Sequence, residues 1–291
     1  MTNSNNWQAP GLNRRKIGDY IVTAIVDGIV AAPFDLLSGI GPDEAMSMTV
    51  AAGRRPSSAI TVSTYLIEGK GRTILVDGGS GGIGGWGGRL HASLAAANVD
   101  PRAIDQILLT HAHPDHIGGL VGALSAPQFP NAELVMHDAE FVFWSDDANL
   151  SQAPDAVKPF FQGARSAFVA YAARRRTISA GEVAPGIGIE HLPGHTPGHS
   201  GYRIDGGDAS LLIWGDIVHY PDIQVPRPGV TIAFDVDQKA AAETRKKVLE
   251  RVSATGELVA GMHLNFPGFA RLSKTGQSFE IRHEPWSAEL V

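Results

Sequence analysis

The residues with the most chemistry in this chain are crowded into "ILLTHAHPDHIGG", residues 107–119, where His111, His113, Asp115 and His116 fall within six positions. Neutral imidazoles and a carboxylate are the ligands a borderline divalent ion such as zinc takes up, with manganese, iron or cobalt as alternatives. In extended chain, residues two apart share a side, so His111 and His113 can aim at one point. Asp115 and His116 are offset from that pair and face a second point. Without a cation, such groups would repel one another or stay unsatisfied. The motif by itself leaves open whether one ion or two is held.

Such a site needs further ligands, and the chain has eleven histidines to draw on. Three other segments end an expected strand with a ligand-type residue followed by turn residues. They are "HLPGHTPGHSGY" with His195 and His199, "LLIWGDIVHY" with Asp216 and His219, and "LVAGMHLNFPG" with His263. Ligands at strand ends, on loops over a rigid sheet, are where α/β folds place functional sites. His91, His137, His191 and His283 stand in no such motif and are expected as surface or core residues.

The elements that must position these residues are legible in outline. Segments 59–69, 72–79, 105–111, 132–137, 186–192, 200–205, 210–216, 257–263 and 277–283 read as strands, and 17–30 as a hairpin around Asp27-Gly28. Residues 43–58 read as weakly helical and then loop, 89–99 as a helix, and 235–254 as a strongly amphipathic helix. Apolar residues near helical spacing mark a further helix over 155–175, whose end carries the basic run 174–176 that suits a helix C-terminus. The glycine-rich stretch 78–88 disfavours regular structure and lets backbone pass close to a neighbour, so it is expected to border the site with Trp86. Trp144, Phe160 and Phe168 are the other candidates for an apolar pocket wall, although aromatics at helical spacing are more often core. Strands come in two batches, each interleaved with helices and with no long linker between them. That pattern favours one α/β domain of two sheets over residues 17–291, behind a loose polar arm at 1–16.

Composition narrows the function. The chain of 291 residues has no cysteine, which excludes disulfides, thiolate metal sites and cysteine nucleophiles. A formal net charge of −6 gives no general reason to expect nucleic acid or an anionic membrane as partner. The N-terminus lacks the apolar core of a signal peptide, and the apolar stretch 20–34 is too short to span a bilayer and is interrupted by Asp27 and Gly28. A cytoplasmic protein is the expectation, and a homodimer the expected oligomer, dimers being the commonest kind.

Over residues 17–285, "ILVDGG", "THAHPDH", "PGHTPGHS", "WGD" and "MHLNFPG", in that order and at that spacing, resemble the metallo-β-lactamase superfamily of metal-dependent hydrolases. "WGDIVHYPDIQVPRPGVTIAFDVD" and "HLNFPGFARL" are most similar to the branch of methyl-parathion-type organophosphate hydrolases and their lactonase and arylesterase relatives. The resemblance implies an αββα four-layer sandwich, two mixed sheets with helices on the outer faces. It implies two divalent ions, with His111, His113 and His195 on one, Asp115, His116 and His263 on the other, and Asp216 bridging both. Asp77 would support this shell, and His199 would be a buried hydrogen-bonding partner. A water bridging two such ions is acidified towards neutrality, which supplies hydroxide without a serine or cysteine nucleophile. Asp115 and Asp216 would orient that hydroxide, and His219 would line the pocket or orient a substrate oxygen. The implied substrate is a small neutral electrophile: a lactone, an aryl ester or an organophosphate triester.

Other chemistries of the superfamily fit the sequence less well. A nuclease favours a basic surface. A flavodiiron reductase carries glutamate where this chain has His113, together with a flavodoxin domain. A glyoxalase II-type thioesterase ends in a basic helical region, whereas the end of this chain reads as short and strand-like. A non-hydrolytic ligand-binding or redox protein has no need of the full set of seven ligands.

Overall fold

The computed structural model describes residues 9–290. The chain runs β1 (Leu12–Ile17), β2 (Tyr20–Ala31), β3 (Leu37–Ser38), α1 (Pro42–Ala51), β4 (Ala59–Gly69), β5 (Arg72–Val76), α2 (Leu90–Ala96) and β6 (Gln106–Leu108). It continues with α3 (Pro114–Ile117), β7 (Glu133–His137), α4 (Asp138–Ser145), α5 (Asp147–Gln152), α6 (Lys158–Ala170), β8 (Arg175–Ile178), β9 (Gly181–Ala184) and β10 (Ile187–His191). The last part is β11 (Ser200–Asp205), β12 (Ser210–Ile213), α7 (Pro221–Gln224), β13 (Thr231–Ile232), α8 (Gln238–Thr255), β14 (Leu258–Ala260), β15 (Phe269–Thr275) and β16 (Ser278–His283).

Two seven-stranded sheets result, one in the order β1-β2-β4-β5-β6-β7-β8 and the other β16-β15-β14-β12-β11-β10-β9. The first is antiparallel as far as β5 and parallel from β5 to β8. In the second, only β12 and β14 run parallel. Alternate residues of a strand leave on opposite faces, so each central strand feeds two cores. Leu211 and Ile213 enter the layer between the sheets, with Val22, Ile67, Val76, Tyr202 and Phe269. Leu212 points outward onto Val248, Leu249 and Val252 of α8. On the far side, Leu66, Leu75 and Leu134 cover Leu94, Trp144 and Phe161 of the helices α2, α4 and α6. The layer order is helix, sheet, sheet, helix, as expected. Burial on both faces is why these strands read as nearly continuous apolar runs. Among the described residues, no helix is long and apolar enough to cross a membrane.

Three sequence expectations are corrected. The arm at 1–16 falls partly outside the described residues, but Leu12–Ile17 is an edge strand paired with β2, and Asn13 and Arg15 in it are buried. The basic run 174–176 is a helix end only in part: α6 stops at Ala170, Arg174 closes a short 3-10 turn over Ala172–Arg174, and Arg175 and Arg176 open β8, where Arg176 pairs with Glu133. The hairpin turn falls at Gly18-Asp19, between β1 and β2, whereas Asp27-Gly28 lies inside β2 at a break in its register with β4.

That break has a purpose. A bulge re-aims a side chain out of the ladder, and here it turns the buried Asp27 carboxylate into the glycine-rich stretch. Oδ1 accepts from the backbone N–H of Arg89 (2.7 Å) and Leu90 (2.9 Å). Oδ2 accepts from Ser80 N–H (2.9 Å), Ser80 Oγ (2.8 Å) and Gly88 N–H (3.1 Å). The glycine-rich stretch is therefore pinned at both ends by one carboxylate, and Trp86 is presented between the pins. A buried donor stripped of its partner costs about 1–3 kcal/mol. Asp27→Ala, which strands several at once, is expected to lower unfolding free energy by at least about 3 kcal/mol in urea titrations; a loss below about 1 kcal/mol would show that the clamp is dispensable.

Candidate metal centre

The motif 107–119 runs on from β6 in extended conformation and then closes into the single turn of α3. His113 caps that turn and Pro114 occupies its first position, where a fixed φ and a missing N–H suit a helix start. The His113 carbonyl accepts from His116 N–H (3.0 Å) and Ile117 N–H (3.2 Å). The change from extended chain to helix turns Asp115 and His116 away from the first pair. His195 arrives on the loop after β10, Asp216 just beyond β12, and His263 just beyond β14.

Two clusters form. His111 Nε2, His113 Nδ1 and His195 Nε2 stand 3.1, 2.9 and 3.1 Å from one another. Three nitrogens around a tetrahedral zinc at about 2.1 Å would be roughly 3.4 Å apart, so the triangle is nearly the right size. Asp115, His116, Asp216 and His263 form the second group. Asp216 Oδ2 is 3.1 Å from His116 Nε2 and 2.8 Å from His263 Nε2, and it faces the first cluster at 3.7 Å from His111 and 3.6 Å from His195. Asp115 Oδ2 lies 3.5 Å from His116 and 3.6 Å from His263.

Hydrogen bonding on the outer side of each ring assigns the tautomers. His263 Nδ1 is 2.7 Å from the Thr61 carbonyl, which can only accept, so this nitrogen carries the proton. His116 Nδ1 meets Asp77 Oδ2 at 2.7 Å, and His195 Nδ1 meets Asp235 Oδ1 at 2.8 Å. Thr110 gives its hydroxyl proton to Asp77 (2.6 Å) and so accepts from His111 Nδ1 (3.1 Å). With the outer nitrogen protonated, the inward nitrogen of each ring, whenever that ring is neutral, is left with a lone pair. Burial holds His111 and His113 well below the ordinary histidine range. Burial also disfavours charge on His116, yet Asp216, Asp115 and Asp77 outweigh it and push that group well above the range. Asp216 Oδ1 is buried with no hydrogen-bond partner. Three imidazole nitrogens turned on one another, beside carboxylates that draw positive charge onto His116 and an orphaned carboxylate oxygen, are a donor set that fits divalent cations.

His199 is not part of either cluster. Its Nδ1 donates to the Leu192 carbonyl (2.8 Å) and its Nε2 accepts from Asp216 N–H (2.8 Å), so it holds Asp216 by its backbone. Asp77, also buried, accepts from Thr110 N–H as well (2.7 Å). His219 Nε2 is 3.5 Å from Asp216 Oδ2, while its Nδ1 is buried and unpartnered. The doubled P-G-H phrase owes its glycines to packing: a Cβ on Gly194 would lie 2.2 Å from Ala241 N of α8, and one on Gly198 would lie 2.0 Å from Glu140 N of α4.

Above the clusters opens a cavity of about 450 Å³, lined on one side by Trp86 and Phe234 and on the other by Trp144 and Phe160. Asp115, Asp216 and His219 reach its floor. Among the described residues, no lysine or arginine lines it. Phe168, expected in this wall, is instead core, packed on Phe141 beneath α6.

Sequence reading missed three buried charged residues. Glu140 accepts Ala112 N–H (2.8 Å) and Trp144 Nε1–H (2.6 Å) on Oε1, and Thr196 Oγ (2.5 Å) and Gly198 N–H (3.1 Å) on Oε2. It thereby staples the loop of His111 and His113 to the loop of His195. Asp235 and Arg245 are buried behind His195. Their signal was a charge at a position where the apolar pattern calls for core.

Comparison with known proteins agrees with this geometry. A curated relative from Bacillus subtilis (strain 168), an uncharacterized protein called YobT, is 26% identical over 151 residues, 52% of this chain. The chain spans about 60% of that relative's length. A solved structure described as the hydrolase AbOPH of the beta-lactamase superfamily superposes with a TM-score of 0.91 at 27% identity, covering 97% of this chain and 100% of its own. AidC, described as a dizinc quorum-quenching lactonase, shares the fold with a TM-score of 0.89 at 24% identity, over 96% of this chain and 99% of its own. Residues 59–263, which run from β4 to the last ligand of the second cluster, match the family model of the metallo-beta-lactamase superfamily, and the chain belongs to that superfamily.

Proposed function

We propose that this chain is a hydrolase that holds two divalent ions, zinc in the first instance, and attacks a small neutral ester-type substrate: a lactone, an aryl ester or an organophosphate triester. The observation that carries the reading is Asp216 Oδ2, which groups with Asp115, His116 and His263 and also faces His111 at 3.7 Å and His195 at 3.6 Å, at the floor of an apolar cavity. AbOPH, at 27% identity, is described as a hydrolase, which supports the same reaction type.

In this reading His111, His113 and His195 hold one ion, Asp115, His116 and His263 the other, and Asp216 both. Two bound divalent ions supply Lewis acidity and make hydroxide available near neutral pH. The protein does the rest. Asp115 and Asp216 accept the hydrogens of a water between the clusters and so aim its lone pair at the cavity. His219, at the cavity edge with a buried Nδ1 free to bond, orients a substrate oxygen. Trp86, Trp144, Phe160 and Phe234 exclude bulk water and take up the apolar part of the substrate. The walls carry no lysine or arginine among the described residues, so away from the metal-ligand set no side-chain cation there pairs with an anionic substituent, which supports a neutral substrate.

Metal analysis of the replete protein is expected to give two ions per chain, and chelation to abolish turnover of a chromogenic aryl ester, with recovery on adding zinc. Asp216→Ala and His263→Ala are each expected to lose bound metal and to lower kcat/KM at least about 1,000-fold; near wild-type turnover by either variant would sink the two-ion reading. A kinetic panel of aryl esters, aliphatic lactones and dialkyl aryl phosphates is expected to show chelator-sensitive hydrolysis in at least one class. No turnover in any class by metal-replete protein would return the chain to the binding or redox alternatives.

A further inference from the structure

We propose that Arg245 and Asp235 form a buried positioning pair that sets the ion affinity of the His111/His113/His195 cluster; this rests on the two-ion reading above. Arg245 lies on the face of α8 that buries Ala241, Val248, Leu249 and Val252, a place where packing alone calls for an apolar residue. It is fully buried. Its guanidinium donates to three backbone carbonyls: Ile217, Pro228 (2.9 Å) and Val230 (2.8 Å). Nη2 has no hydrogen bond and stands 3.9 Å from Asp235 Oδ2. Burying such a cation is costly, and a well-packed apolar residue usually serves stability as well or better.

What the cation touches explains its presence. Ile217 directly follows Asp216, so Arg245 fixes the backbone beside the shared carboxylate. Asp235 accepts His195 Nδ1–H at 2.8 Å and Ile232 N–H at 3.2 Å, and it is the carboxylate nearest the guanidinium. A carboxylate behind a ligating imidazole fixes the ring and raises its basicity, and removing one typically costs 10–100-fold in metal affinity. The chain around Asp235 is also tied to the His195 loop: Val236 N–H donates to the His195 carbonyl (3.0 Å) and Asp237 N–H to that of Gly194 (2.9 Å). One buried cation thus braces the shared carboxylate and, through Asp235, a ligand of the first cluster.

The test is competition of the zinc-loaded full chain with a chromogenic chelator, alongside the visible spectrum of the cobalt-substituted protein. Asp235→Asn, nearly isosteric, is expected to weaken one of the two ions 10–100-fold while the other is retained, and to shift the cobalt bands. Arg245→Met fills the same space without charge; it is expected to unfold at an unchanged or higher temperature and yet to release one ion more readily. Arg245→Lys is expected to recover part of that affinity, which a purely space-filling role would not produce. If wild-type protein binds two ions and both Asp235→Asn and Arg245→Met hold them with wild-type affinity, the positioning pair is refuted. If wild-type protein itself binds fewer than two, it is the two-ion reading that fails.

Discussion

Asp216 Oδ2 stands 2.8 Å from His263, 3.1 Å from His116, and 3.6 and 3.7 Å from His195 and His111. To offer a carboxylate and four imidazoles to a cation in a buried place, each ring must be able to turn an unprotonated nitrogen inward. Each ring must then find an acceptor for the proton on its other side. The acceptors are Asp77, Asp235, the Thr61 carbonyl and the Thr110 hydroxyl, and they come from different strands and loops. The centre therefore fixes a second ring of structure, and that ring fixes which loops must meet. Both sheets are needed: the segment after β6 carries His111, His113, Asp115 and His116, the segments after β10, β12 and β14 carry His195, Asp216 and His263, and Thr61 on β4 of the first sheet holds His263 from the second.

Loops that carry ligands have few regular partners for their backbone groups, and buried N–H groups must still be satisfied. The fold meets this with buried carboxylates, whose two oxygens each accept more than one hydrogen bond. Asp27 gathers the glycine-rich stretch, Asp77 joins Thr110 to His116, and Glu140 joins the two histidine loops to Trp144. Burial raises the pKa of Asp77 and Glu140, a measure of how strongly the site disfavours their charge. Such groups are kept where geometry at a centre matters more than stability.

This division explains what was legible in the sequence. The candidate ligands lie in a period-two stretch followed by a helical turn and at the ends of apolar runs, so spacing marked His111, His113, Asp115 and His116 and offered His195, His199, Asp216, His219 and His263 as strand-end candidates, among which the family resemblance chose. The two batches of strands were legible because burial on both faces gives long apolar runs. The supporting carboxylates were not, apart from Asp77, because their partners are backbone groups far off in sequence: Asp27 bonds residues 53 to 63 positions away, and Glu140 reaches Gly198 across 58. Asp27-Gly28 looked like a turn because a bulge and a turn use the same residues. The edge strand Leu12–Ile17 looked like an arm because only alternate residues are buried, and two of those are Asn13 and Arg15.

The cavity follows a different logic from its floor. Its walls contribute apolar contact, which is made equally with the substrate before and during reaction, so it strengthens binding without choosing among reactions. Discrimination by an apolar wall is also shallow, about 10–200-fold for one methylene. The floor, in contrast, is rigid to the level of individual hydrogen bonds, and under the proposed chemistry it responds to charge developing on an oxygen, whether that oxygen leaves carbon or phosphorus. Under the proposed function, such a wall over such a floor would accept several neutral electrophiles that share one mode of attack. Substrate preference, under that same function, would be set by the residues that limit the cavity, Trp86 on its pinned loop and Trp144 on Glu140, rather than by the metal-site residues.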